Sequence, residues 1–229
     1  KKKVYKSKMK KWILLSLSAA FFLIGQTNKI DKPKLVVFIT VDQGTPSLLD
    51  KYDHLFIGGY RWLRDNGVQF KQAYHEHGYT ATGPSHFALS SGQHPGNGGV
   101  IGNQWFDRKL KRGWYCVEDT LSQVLIDGST GRSYRFVQST TLGDWIKKDN
   151  PNSIVLSIAG KDRAAILHGG KNADITLWYD KQGGWTSSTY YVSKLPNWVN
   201  TFNKQLNVPS YIDSVWNPFL DNNVYVNNT

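Results

Sequence analysis

The sequence predicts an α/β fold built on a mainly parallel central sheet flanked by helices. Three stretches are typical of strands, at residues 35–41, 68–74 and 153–159, and segments of helical character separate them. Strands that alternate with helices along a chain form parallel sheets, with the helices packed on the faces. The composition agrees with a globular protein, because 40% of the residues are hydrophobic and 14% are aromatic. It excludes a disordered polar chain and a collagen-like chain.

The first strand carries the clearest signal. Residues 35–41 are a continuous run of apolar and β-branched side chains, typical of a strand that is buried on both faces. The run ends at Asp42, and open α/β sheets bind ligands at the carboxyl ends of their strands. The remaining elements are predicted in this order: a helix over 46–66 interrupted at Gly58-Gly59, a short helix over 86–90, a hairpin over 105–118, a helix over 142–148, strands over 175–179 and 185–191, and a helix over 196–206.

The N-terminus is typical of a secretory signal. Met9 is the only methionine, and two lysines and the apolar run 12–24 follow it. This run is too short to span a bilayer comfortably. We therefore predict that residues 1–25 comprise upstream residues and a signal that ends near Gly25. The protein is then exported, periplasmic or secreted, without a stable membrane anchor. A basic amphipathic anchor is the less favoured alternative, because no polar face recurs through the run.

Charge and cysteine content narrow the class of protein further. The formal net charge is +11, but seven of the 28 basic residues lie in residues 1–25, which contain no acidic residue. The rest of the chain has 21 basic and 17 acidic residues, so no nucleic-acid partner is predicted. The single cysteine, Cys116, has aromatic and apolar neighbours. It is predicted to be a buried structural thiol that forms no intrachain disulfide.

Several polar side chains stand where packing gives no reason for them. Thr82 lies at a predicted helix start, where free backbone N–H groups and the helix dipole favour an anion. Lys161 and Arg163 follow a predicted strand and suit phosphate oxygens. Asn103 follows a glycine-rich loop, where its amide could donate to an oxyanion, and Asp42 follows the first strand. The plain alternatives are a helix N-cap for Thr82, a turn residue for Asn103 and a solvated loop for the two cations.

His75 and His77 are predicted to share one face of a strand. Two histidines at this spacing suggest a metal site. No third ligand stands at a fitting spacing, so surface histidines are the favoured interpretation.

Seven short motifs make the sequence resemble the alkaline phosphatase superfamily. The resemblance is to secreted bacterial alkaline phosphatases with a threonine nucleophile, which are relatives of the type I phosphodiesterase/nucleotide pyrophosphatase family. The motifs, in order, are Val41-Asp42-Gln43, Thr82-Gly83-Pro84-x-His86, Ile101-Gly102-Asn103-x-Trp105, Tyr115-Cys116-Val117-Glu118-Asp119, Lys161-Asp162-Arg163, Trp178-Tyr179-Asp180 and Ser188-Thr189-Tyr190-Tyr191. This resemblance implies that residues 26–229 are the N-terminal part of an alkaline phosphatase-like catalytic domain.

The resemblance implies a role for each candidate residue. Thr82 would be the nucleophile, and Asp42 and Thr82 would ligate one of two zinc ions. Asn103 would contact one phosphoryl oxygen, and Lys161 and Arg163 would hold the others. The implied reaction is hydrolysis of a small phosphate monoester through a phosphothreonine intermediate. The two cations favour a monoester because it carries about one more negative charge than a diester.

Departures from the family pattern leave alternatives open. Phe87 and Ser85 stand where small residues are typical, and Phe87 is predicted to crowd the helix behind Thr82. The family's other zinc ligands have no counterpart before Thr229, so we expect a domain that is incomplete at the C-terminus and inactive alone. A phosphodiesterase or nucleotide pyrophosphatase is one alternative, and a metal-free secreted binding protein of the same fold is another. The oligomeric state and the physiological ester are left open.

Overall fold

The computed structural model describes residues 32–206, 211–221 and 224, so the predicted signal over residues 1–25 lies outside the described residues. The chain divides into two units, residues 1–41 and residues 42–229. Among the described residues, no helix combines the length and the apolar character needed to cross a bilayer.

The described part of the first unit, residues 32–41, contains neither a helix nor a strand. Leu35 and Ile39 are 78% and 73% exposed. The prediction of a buried strand over 35–41 is therefore wrong for the described structure. A strand is defined by hydrogen bonds to a neighbouring strand, and none of the described strands pairs with this run, whatever its side-chain preference.

The second unit contains helices whose ends follow local capping rules. The Thr45 side chain accepts a hydrogen bond from the Leu48 N–H, and Pro46 occupies the first turn of the helix that follows. The α-helices, in chain order, are α1 (Pro46–Lys51), α2 (Gly59–Asn66), α3 (Thr82–Ser91), α4 (Pro95–Gly98), α5 (Leu142–Asp149), α6 (Asp162–Gly169) and α7 (Asn197–Gln205). The predicted interruption of the first helical region near Gly58 is confirmed, because α1 and α2 are separate helices.

The strands form three small sheets. They are β1 (Gln104–Asp107), β2 (Arg112–Tyr115), β3 (Glu118–Gln123), β4 (Thr130–Arg132), β5 (Leu156–Ala159), β6 (Ile175–Asp180) and β7 (Gly184–Thr186). β1 and β2 form the predicted antiparallel hairpin, and β3 pairs antiparallel with β4. The third sheet has the order β5-β6-β7, in which β5 and β6 are parallel and β7 is antiparallel. The α/β class is confirmed, and the β5–β6 pair is the parallel pairing among the described strands.

Two other strand predictions fail for the same physical reason. Residues 68–74 form no strand, and Val68 and Phe70 are 84% and 80% exposed. The predicted strand over 185–191 shortens to β7. Alternation of apolar and polar residues records only which side chains prefer burial. It does not supply the neighbouring strand whose backbone groups must be paired.

The core joins the two helices that carry candidate residues. Helices α3 and α6 pack against each other, and the Ser90 hydroxyl donates to the Leu167 carbonyl oxygen at 2.6 Å. The Ser157 hydroxyl donates to the Ala165 carbonyl oxygen at 2.7 Å and fastens β5 to α6. The buried cluster comprises Phe87, Val100, Cys116, Val117, Val124, Tyr134, Ala165, Ile166, Leu167 and Trp178. The packing places the helix that begins at Thr82 beside the helix that contains Arg163.

Candidate active site

Thr82 is the first residue of α3, as predicted. The N-cap is Ala81, which has no side chain able to cap the helix, so the N-cap interpretation of Thr82 is wrong. Pro84 has no N–H, which leaves the Thr82 and Gly83 N–H groups as the donors of the first turn. Gly83 has a partner, whereas the Thr82 N–H has none among the described residues. The Thr82 hydroxyl therefore stands beside a free backbone donor at the positive end of a helix.

Asn103 supplies the missing cap of α3. Its side-chain oxygen accepts a hydrogen bond from the Gly83 N–H at 2.7 Å. An added Cβ on Gly83 would lie 3.1 Å from that oxygen and 3.3 Å from the Cys116 sulfur, so the close approach depends on glycine. Since the oxygen faces Gly83, the Asn103 NH₂ group points away from the helix and is free to donate to another acceptor. This role is more specific than that of a turn residue.

Asp42 lies next to the Thr82 hydroxyl. That hydroxyl donates to Asp42 Oδ2 at 3.4 Å, which is long for such a bond. Two oxygen ligands of one tetrahedral zinc ion are about 3.3–3.6 Å apart, because each Zn–O bond is about 2.0–2.2 Å. The two oxygens therefore fit two positions of one zinc ion. No group of three potential ligands among His, Cys, Asp and Glu is found in the described part of the chain, so these residues alone do not complete a zinc site.

Lys161 and Arg163 flank the start of α6. Lys161 is its N-cap residue and is exposed, whereas Arg163 is half-buried. Their charges, together with that of Asp42, act on the buried imidazole of His86. Burial lowers the pKa of His86, the negative charge of Asp42 opposes that shift, and the charges of Arg163 and Lys161 reinforce it. The acidic and the basic candidate residues are thus close enough to one histidine to shift the same pKa.

His86 also contacts the candidate nucleophile's backbone. Its Nδ1 donates to the Thr82 carbonyl oxygen at 2.8 Å, one helical turn earlier. The His86 and His168 rings meet edge to face with centroids 4.7 Å apart. This pair joins α3 and α6 directly behind the candidate site.

A tyrosine and a carboxylate that sequence reasoning did not assign hold Arg163. Tyr115 donates to Asp162 Oδ1 at 2.6 Å and accepts from Arg163 Nη1 at 2.8 Å. Arg132 Nε forms an ion pair with Asp162 Oδ2 at 2.9 Å. An available signal was the acidic residue between two cations in Lys161-Asp162-Arg163, which is typical of an ion-pair network.

The two histidines of residues 75–77 differ in burial, although their ring centroids lie only 5.1 Å apart. His75 is exposed, but His77 is only 8% exposed and lies 3.2 Å from the Ser85 hydroxyl. The prediction of two surface histidines on a strand is therefore wrong for His77, and residues 75–77 are not in a strand. The His94 ring lies 6.2 Å from that of His77. Burial lowers the pKa of His77, and the neighbouring His75 and His94 rings lower it further.

The chain matches the profile of the type I phosphodiesterase / nucleotide pyrophosphatase family over residues 36–226. The chain belongs to this family. Among its relatives, the alkaline phosphatase PafA of Elizabethkingia meningoseptica is 34% identical over 226 residues, which are 94% of this chain and 41% of that protein. The alkaline phosphatase PhoD of Zymomonas mobilis is 38% identical over 176 residues, which are 76% of this chain and 30% of that protein.

Solved structures of an alkaline phosphatase support the fold. The crystal structure of wild-type alkaline phosphatase PafA matches with a TM-score of 0.81 at 32% identity, over 86% of this chain and 39% of that chain. A PafA variant in which one threonine, one asparagine, one lysine and one arginine are replaced matches with the same TM-score. The alkaline-phosphatase-like fold is therefore confirmed. The chain spans 30–41% of the length of the curated relatives named above.

Proposed function

We propose that this protein hydrolyses phosphate monoesters through a covalent phosphothreonine at Thr82. The observation that carries the proposal is the start of α3, where one hydroxyl, one carboxylate and one oriented amide come together. The Thr82 hydroxyl lies 3.4 Å from Asp42, and Asn103 is held by the Gly83 N–H. PafA supports the proposal indirectly, because the four residue types replaced in its variant are those of Thr82, Asn103, Lys161 and Arg163.

In the first step of the proposed reaction, the Thr82 oxygen attacks the phosphorus atom. A new P–O bond forms to Thr82, whose hydroxyl proton is given up to solvent. The P–O bond to the ester oxygen breaks, and the alcohol leaves with the electron pair and takes up a proton from water. In the second step, water attacks the phosphothreonine, which releases inorganic phosphate and restores the hydroxyl. Asp42, as the acceptor of the Thr82 hydrogen bond, orients the hydroxyl towards the substrate.

Three side chains and one backbone group would bind the transferring phosphoryl group. The Asn103 NH₂ group and the Thr82 N–H both lack partners among the described residues and can donate to phosphoryl oxygens. Lys161 and Arg163 bring two positive charges to the remaining oxygens. A monoester carries about one more negative charge than a diester, so this pair stabilises the monoester reaction selectively.

We further propose that Asp42 and Thr82 are ligands of a zinc ion. Zinc would lower the pKa of the threonine hydroxyl and offset charge on the phosphoryl oxygens. Two ligands do not make a site, so we propose that its other ligands, and those of a second zinc ion, are outside the residues described. In this proposal residues 26–229 form the N-terminal part of a longer catalytic domain and bind no stoichiometric zinc alone. Metal analysis of that segment by atomic emission tests this directly.

We also propose that the protein is exported, with residues 1–25 removed. The basic start and the apolar run 12–24 support this. N-terminal sequencing of the mature protein should give a first residue near Gln26. Recovery of the lysine-rich start in a membrane fraction would contradict export by cleavage.

The reaction class is tested by comparing an aryl phosphate with the matching bis-aryl phosphate. In the complete gene product, Lys161→Ala/Arg163→Ala should lower kcat/KM for the monoester by two to four orders of magnitude. That range corresponds to two charge-assisted contacts of about 1.5–3 kcal/mol each. Hydrolysis of the diester should fall far less, because one phosphoryl oxygen carries an ester group instead of a charge.

Two controls make this test specific. Arg108→Ala/Lys109→Ala removes the same charge from the exposed hairpin turn and should change neither rate. Thr82→Ala should abolish both reactions, and Thr82→Ser should retain part of them. Equal losses for monoester and diester in the Lys161/Arg163 variant would contradict a monoesterase and favour the phosphodiesterase alternative that the family name suggests.

A further inference from the structure

The guanidinium of Arg163 is held at one end and free at the other. Nη1 donates to the Tyr115 hydroxyl at 2.8 Å. Nε is buried and has no hydrogen-bond partner among the described residues. In a guanidinium the Nε–H and one Nη2–H point in the same direction, and this edge makes paired hydrogen bonds to two oxygens of one anion. The edge that best suits a phosphoryl group is thus the edge whose buried Nε lacks a partner.

The direction of the Tyr115 hydroxyl is fixed by Asp162. The hydroxyl has one proton, and it donates that proton to Asp162 Oδ1 at 2.6 Å. Its lone pairs are therefore left for Arg163 Nη1. Burial, reinforced by the charge of Asp162, raises the pKa of Tyr115 well above its usual value, so the phenol keeps its proton throughout the working pH range.

The charge of Asp162 is offset by a different arginine. Arg132 Nε contacts Asp162 Oδ2 at 2.9 Å, and the Arg163 backbone N–H contacts Oδ1 at 2.7 Å. The carboxylate thus contacts one guanidinium directly and the other only through the tyrosine. The positive charge of Arg163 remains available to a substrate, although a carboxylate belongs to the same network.

We propose that Tyr115 and Asp162 are positioning residues that aim the free edge of Arg163 at a phosphoryl group. This inference rests on the function proposed above. It assigns part of the monoester preference to the two successive hydrogen bonds that link Asp162, Tyr115 and Arg163, which we call the relay; no proton is transferred along it. Tyr115 and Asp162 do not touch the substrate in this arrangement. They reduce the number of orientations that the long arginine side chain samples before the substrate binds.

The Tyr115→Phe variant of the complete gene product tests the relay, because it keeps the ring and removes only the hydroxyl. We expect kcat/KM for an aryl phosphate to fall about 10-fold, the effect of one hydrogen bond to a charged group. Hydrolysis of the bis-aryl phosphate should change by less than about 2-fold. In the Arg163→Ala background, Tyr115→Phe should have no further effect on the monoester, since the group it positions is absent.

A second variant and a control guard against a folding defect. Asp162→Asn keeps the shape of the side chain, and it should also lower the monoester rate selectively. Tyr190→Phe removes a hydroxyl that contacts the Lys171 carbonyl oxygen, and it should leave the ratio of the two rates unchanged. Thermal unfolding of each variant shows whether the protein is folded at the assay temperature.

The outcomes separate this inference from the proposed function. If Arg163→Ala lowers both rates equally, or if the unmodified protein hydrolyses neither substrate, the proposed function is wrong and the relay with it. If Arg163→Ala is selective but Tyr115→Phe lowers both rates equally, the relay is overturned and the proposed function stands. A full 10-fold loss from Tyr115→Phe in the Arg163→Ala background would also overturn it.

Discussion

The contact between Phe87 and Gly98 predicts how substitutions at these two positions change the free energy of unfolding. Phe87, on α3, is fully buried, and its ring lies against Gly98 at the end of α4. A Cβ added to Gly98 would lie 1.9 Å from the ring Cζ and 2.2 Å from Cε1, where ordinary carbon contacts are about 3.5–4.0 Å. The Phe87 ring therefore occupies the space that a side chain at Gly98 would need. It does not crowd the helix behind Thr82, contrary to the prediction from the sequence.

Each single substitution should be destabilising for a different reason. Phe87→Ala removes a buried ring and leaves a cavity, at a cost of about 3–5 kcal/mol in the free energy of unfolding. Gly98→Ala forces the ring out of its position and should cost about 1–3 kcal/mol, as overpacked cores do. Gly98 does not need a positive φ, so backbone strain does not contribute to that cost.

The double variant Phe87→Ala/Gly98→Ala should be more stable than Phe87→Ala alone. The new methyl group enters the space that the ring has left and recovers about 1 kcal/mol, close to the value of one buried CH₂. Urea unfolding of the four proteins measures the three differences and the coupling between them. If Gly98→Ala costs the same free energy in both backgrounds, the two residues do not pack against each other and the explanation of Phe87 is refuted.

Three further predictions concern buried polar groups. Burial raises the pKa of the Cys116 thiol to about 12, so it should not react with a disulfide reagent at pH 8 until the protein is unfolded; rapid labelling of the native protein would contradict this. Burial lowers the pKa of His168 to about 4, so between pH 6.5 and pH 4 only the unfolded state takes up this proton. Stability should therefore fall by about 1–2 kcal/mol from pH 7 to pH 5, and less in His168→Gln; urea midpoints at the two pH values measure it. Asp144→Ala should cost about 3 kcal/mol in the same assay, because the buried carboxylate accepts hydrogen bonds from the Thr141 and Asn172 N–H groups, and an unchanged midpoint would argue against that role.

Helices and the hairpin could be predicted from the sequence because their signals are local. The helix predicted over 142–148 is Leu142–Asp149, with a capping box formed by Thr141 and Asp144. The strands predicted over 35–41 and 68–74 are absent from the structure. Their apolar pattern is local, but strand formation depends on a partner at a distance in the chain.

In the candidate site, too, features with a local signal could be predicted and contacts between distant segments could not. Thr82 could be placed at a helix start from the proline and glycine that follow it. The contact of Asn103 with Gly83 depends on the path of a glycine-rich loop, and that of Tyr115 with Arg163 joins two segments 48 residues apart. No spacing rule predicts such contacts. The sequence therefore marked Asn103 as a candidate donor after a glycine-rich loop without showing its contact with Gly83, and it left Tyr115 without a role.

Helix α3 is capped by Asn103 and not by its own N-cap residue, Ala81, so stability and function make opposite demands at position 81. Ala81 leaves the Gly83 N–H to Asn103, whereas a serine there would accept that same N–H, because Pro84 offers no alternative donor. A designer who followed helix propensities would make this change and expect about 1 kcal/mol of added stability. The serine would displace Asn103 as the acceptor of the Gly83 N–H, and the Asn103 NH₂ group would no longer be held in the orientation proposed to bind the phosphoryl group. The poorly capped helix end is thus a feature that thermostabilisation of this protein should leave in place.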